Sequence, residues 1–114
     1  MDKEQYQKVR DRLSTLIYKI QGRAPQKVNV EDLVEASKLH YEFYKHAKSK
    51  EEDREALIQI GQAATYSMWA VDKGYRDEDD LKLFLEINKL DAETESPNSD
   101  TPENIKLLQE IISS

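Results

Sequence analysis

The chain has 114 residues, 35% of them charged and 38% hydrophobic, with a formal net charge of −6 and no cysteine. That length suits one domain, and without cysteine there are no disulfides, thiolate metal ligands or cysteine nucleophiles. No apolar run approaches the ~20 residues that a membrane span needs. The first residues offer no apolar segment for a secretory signal, and the cytoplasm is the default compartment.

Between breaks marked by Gly22, Pro25, Gly74, Pro97 and Pro102, apolar residues recur at steps of three and four. That period predicts amphipathic helices, and no alternating run supports a strand. The first helix is expected from Asp2 to Gln21, with a stripe of Tyr6, Val9, Leu13, Leu16, Ile17 and Ile20. Gly22 would end it in the left-handed conformation. Asn29 is a good cap for the second helix, accepting from the backbone near Asp32, and that helix runs to about Lys48. It carries two apolar stripes, one through Leu33, Ala36, His40, Phe43 and Ala47, the other through Val30, Val34, Ser37, Tyr41 and Tyr44. So wide an apolar arc packs against two neighbours.

Ser49 with Glu52 reads as a capping box for the third helix. Leu57, Ile60, Ala64, Met68 and Val71 share one of its faces; Ile58, Thr65 and Trp69 lie on an adjoining one, and Gly74 supplies the C-cap. Mid-helix, Gly61 costs about 1 kcal/mol relative to alanine. With Ala63 and Ala64 beside it, close approach of another helix is the expected compensation. Asp77 caps a fourth helix reaching about Leu90, carrying Leu81, Phe84, Leu85 and Ile87. Residues 91–101 are acidic and almost free of apolar side chains, and a mobile loop is expected there. Thr101 would cap a short last helix with Pro102 at its first position. The expected fold is all-α: a single domain over 1–114, a bundle or array of about five helices.

Ile60-Gly61, Ala64, Gly74-Tyr75 and Leu90-Asp91-Ala92 loosely resemble landmarks of a tetratricopeptide repeat. Gly61 and Gly74 lie farther apart than that repeat allows, and no second copy occurs at its ~34-residue period. No function is carried over from the resemblance.

Charge is unevenly spread: residues 1–27 hold seven basic and three acidic side chains, and residues 77–114 three basic and eleven acidic. Internal complementarity is the plain account. Two others are a basic first helix that meets phosphates through Lys3, Lys8, Arg10, Arg12 and Lys19, and an acidic end that recognises a basic partner. Nucleic-acid binding draws on clustered cations and counterion release, so the acidic whole disfavours it.

His40 and His46 are the only histidines, six apart, whereas paired zinc ligands on one helix stand four apart. With no third convergent ligand, no metal is expected. Glu42 and His46 have the spacing of a surface pair. His40 falls on an apolar stripe and reads as a partly buried, hydrogen-bonded packing residue. The acids Asp77 to Asp80 wind around their helix start and complement its dipole. No serine–histidine–aspartate set or glycine-rich phosphate loop is present. The chain is therefore not expected to be an enzyme and no cofactor is implied; a residual enzymatic reading centres on His40.

Aromatic residues crowd the middle of the chain. Phe43 and Trp69 read as core, while Tyr41, Tyr44, Tyr66 and Tyr75 are candidates for an aromatic-rimmed groove holding a partner helix or peptide. The functional expectation is a small non-catalytic interaction module, an adaptor, inhibitor or immunity-type regulator. Self-association as a homodimer is a further expectation.

Overall fold

A computed structural model describes residues 1–114, apart from the side chain of Pro25. Among the described residues, five helices follow the periodic segments: α1 Lys3–Gln21, α2 Val30–Ser49, α3 Asp53–Asp72, α4 Glu78–Ala92 and α5 Thr101–Ser113. One turn of 3-10 helix, Pro25–Lys27, precedes α2. The described residues contain no strand, so the protein is a small all-α helical bundle. Among the described residues, no helix is long and apolar enough to cross a membrane.

Each helix packs chiefly on its neighbours in sequence. The α2–α3 hairpin is central, α1 lies against α2, α4 against α3, and α5 against α4. Leu16, Leu33, Ile60, Phe84, Ile87 and Leu108 are fully buried, one or more from each helix. Burying a side chain of this size contributes about 1.5–3 kcal/mol. Where α2 meets α3 the side chains are small: Ala36, Ala63 and Ala64 are buried, and Ser37 Oγ donates to the Ala63 carbonyl at 2.7 Å. A serine hydroxyl reaching another helix's backbone marks a close crossing, so the tight approach falls at Ala63. Gly61 instead faces the 91–101 segment, where Asn98 Nδ2 donates to its carbonyl at 3.1 Å. Asn88 joins α4 to α3 by donating to Ser67 Oγ at 3.1 Å.

Asp2, Asn29 and Asp77 cap α1, α2 and α4, accepting from the backbone N–H of Gln5, Glu31 and Asp80. Two expected caps move. Ser49 is the last residue of α2, its hydroxyl bonded back to the His46 carbonyl, and α3 begins after Glu52 without a side-chain cap bond. Thr101 lies inside α5, fully buried, and donates to Asp91 Oδ2 at 2.7 Å. In each case a nearer hydrogen-bond acceptor claims the hydroxyl. Gly22 ends α1 at φ −81°, so the left-handed turn expected there is not used.

Candidate functional site

α1 leans on α2 and little on α3, and of the last two turns of α3 the exposed residues Trp69 and Asp72 border the α1–α2 connection. A groove of about 670 Å³ lies there, walled by Ile20, Val28, Leu33, Tyr66 and Trp69. That volume falls within the range of natural binding clefts, roughly 300–1,000 Å³. Arg23, Lys73 and Asp72 stand around it. Among the described residues, neither Arg23 nor Lys73 takes part in an ion pair.

The aromatic wall is built in depth. Trp69, the only tryptophan, is 48% exposed. Its ring meets Tyr66 edge to face, centroids 5.4 Å apart, and the buried Tyr66 ring stacks on His40 at 5.5 Å. His40 is fixed in turn: its Nδ1 lies 2.7 Å from Gln59 Oε1, and Gln59 Nε2 donates to Glu55 Oε1 at 2.8 Å. An amide oxygen only accepts, so with this amide orientation Nδ1 carries the proton. Burial pushes the His40 pKa down, outweighing the opposing pull of Gln59, and burial pushes the Tyr66 phenol up. Both rings are therefore neutral at pH 7, and the pair forms an uncharged backing for the indole.

The four candidate tyrosines occupy three places. Tyr66 alone belongs to the groove. Tyr41 and Tyr44 stack on each other on α2, 6.0 Å apart, and Tyr41 donates to Glu86 of α4 at 3.3 Å. Lys45 Nζ sits 4.9 Å above the Tyr41 ring. Tyr75 packs against Phe84 at the α3–α4 corner and donates its hydroxyl to Asp80, whose other oxygen holds Lys38 Nζ at 2.8 Å. Phe43 is core as expected. Trp69 is not core. Its helix face also carries Ile58, Gln62 and Thr65, and Ile58 too is 49% exposed. The polar residues interleaved on that face were the available sign that it turns outward.

The basic residues of α1 do not form one surface. Arg12 is taken up by Glu35 of α2, Nε to Oε2 and Nη2 to Oε1, both 2.7 Å. Lys8 pairs with Glu4 at 3.6 Å. At about 100° per residue, Lys3 and Arg10 project on the opposite side of the helix from Lys8, Arg12 and Lys19. Glu42 pairs with Lys45 at 2.8 Å and not with His46, whose ring lies 5.2 Å from that of Tyr6. Among the described residues, no three histidine, aspartate or glutamate side chains converge as a metal cluster.

Comparison with protein families, with curated proteins and with solved structures gives no match.

Proposed function

We propose that the protein is a small interaction module that docks a partner polypeptide in the groove beneath Trp69. The observation that supports this reading is the indole itself, the largest side chain type, held half in water over an apolar trough. Most large apolar side chains of the chain are covered by its own helices, and Trp69 is not. Tryptophans placed over desolvated pockets are the residues that dominate polypeptide interfaces. The neutral His40–Tyr66 stack holds the wall rigid, which lowers the ordering cost of binding. The reading needs no catalytic group and no cofactor.

Trp69→Ala tests it, with Ile58→Ala as a control on the same helix face. Immobilised wild-type and Ile58→Ala proteins are expected to retain the same polypeptide, and Trp69→Ala to lose it. Retention that survives Trp69→Ala overturns the reading.

A further inference from the structure

We infer that one occupant of this groove is the exposed face of α5 from a second copy of the chain, an inference that rests on the groove's being a docking site. The two surfaces match in chemistry. α5 is the last element and packs on α4, so much of its circumference is free, and none of its residues lines the groove of its own chain. On that free side Leu107 is 39% exposed. Glu103 precedes it by four residues and Glu110 follows by three, so both carboxylates share its face. Lys106 is its exposed neighbour. The α5 face is thus one large apolar side chain ringed by two acids and one base. The groove is an apolar trough ringed by two bases and one acid, Arg23, Lys73 and Asp72. Each set supplies the opposite sign for the other. Ile111, one turn beyond Leu107, is packed against the chain's own core, so Leu107 is the single apolar anchor of this face.

Each copy carries both patches, so reciprocal engagement closes a two-fold dimer, and one-way engagement runs head to tail into larger assemblies. Charge steers the encounter while Leu107 and the Trp69 trough supply the apolar contact.

Light scattering over a micromolar to millimolar concentration series tests the inference, with three samples. The first is wild type, the second Arg23→Glu/Lys73→Glu, the third Glu103→Lys/Glu110→Lys. All four positions are exposed and circular dichroism checks that the helices are kept. Wild type is expected to reach at least twice the mass of a single chain at the upper concentrations, and to lose it in high salt, which screens exposed charge. Each charge-reversed protein alone is expected to remain monomeric. Mixing the two is expected to restore the larger mass, because reversed groove and reversed helix match again. The emission of Trp69 shifts to the blue as the larger species forms. A wild type that is monomeric throughout overturns self-docking. So does an assembly that both reversed proteins form as readily as wild type. Retention of another polypeptide that still depends on Trp69 would then leave the groove as a docking site for that partner alone, whereas loss of Trp69 dependence in both assays removes the site itself.

Discussion

Glu51 and Gly74 occupy the same position, one residue past the C-caps of α2 and α3, and both are left-handed, with φ of 58° and 95°. The hydrogen bonds around them repeat. Glu51 N–H donates to Lys48 and Glu52 N–H to Ala47; Gly74 N–H donates to Val71 and Tyr75 N–H to Ala70. These are two Schellman endings, one with the residue that fits it and one without. They turn the chain twice, from α2 into α3 and from α3 towards α4.

A side chain in this conformation costs roughly 1–2 kcal/mol, part of which glycine returns through its freer unfolded chain. Glu51→Gly is therefore expected to stabilise the protein by ~0.5–1 kcal/mol. Gly74→Ala is expected to destabilise it by about 1 kcal/mol. No atom lies within 4 Å of a Cβ built on Gly74, so strain is the only cause there. Urea unfolding of the two variants beside wild type measures both signs; equal midpoints in all three would contradict the account.

The period of apolar residues made the five helices legible, since burying a stripe is a property of the helix itself. Caps were legible where the capping residue had no competing partner, as at Asn29 and Asp77. They were not at Ser49 and Thr101, whose hydroxyls bond to His46 and to Asp91. The groove was not legible, because its walls come from Ile20, Leu33 and Trp69, which only tertiary packing brings together. Tyr66 stands out by its type, while Trp69 reads as core from the large apolar area of an indole, although Gln62 and Thr65 on the same face signal that it turns outward.

The buried His40 gives stability a pH dependence of definite sign. Its folded pKa lies below the ordinary 6.5, so the unfolded chain binds the proton more readily. The contribution is fully present above pH 6.5 and falls as pH drops below it toward the folded value. The slope has a ceiling of ~1.4 kcal/mol per pH unit. Glu35 and Asp80, whose carboxyls are held below their ordinary 4.5 and 3.8, lose their contributions only at more acid pH. Urea midpoints at pH 7 and pH 5 are expected to differ in wild type and to converge in His40→Phe, which keeps a ring against Tyr66 and removes the titration. An unchanged slope in His40→Phe would place its origin elsewhere.

The acidic 91–101 segment is fastened at both ends. Asp91, fully buried, accepts from the Asn98 N–H at 3.1 Å and the Thr101 hydroxyl at 2.7 Å, and Asn98 Nδ2 also reaches Thr65 Oγ1 at 3.3 Å. Asp91→Ala strands both donors and is expected to cost about 2–3 kcal/mol. Amide exchange is expected to quicken from residue 98 through α5 with α2 little affected; uniform quickening would mean that the segment is not a local unit. Gly61 faces the same place, and a Cβ there would meet Asn98 Oδ1 and Asp91 Oδ1 at an ordinary 3.8 Å. Gly61→Ala is accordingly expected to add up to ~1 kcal/mol of stability through helix propensity. Gly61→Leu, too large for that gap, should displace Asn98 and reproduce the exchange pattern of Asp91→Ala.

At the α3–α4 corner, Tyr75 gives its hydroxyl to Asp80, which also holds Lys38 of α2. That bond to the carboxylate raises the Tyr75 pKa well above its ordinary 10, with burial adding to the effect. A raised folded pKa means that the stabilisation is complete below pH 10 and is lost as pH climbs through and beyond it. Tyr75→Phe keeps the ring against Phe84 but not the bond, and is expected to cost about 1–1.5 kcal/mol at pH 7. Wild type should lose stability between pH 9 and 11 more steeply than Tyr75→Phe does. Lys38→Met, which removes the other partner of Asp80, should leave that alkaline difference in place, because the tyrosine still donates to the carboxylate. Ultraviolet titration of the phenols beside urea unfolding reads both quantities, and parallel alkaline slopes in wild type and Tyr75→Phe would show that the Tyr75–Asp80 bond does not fix the corner.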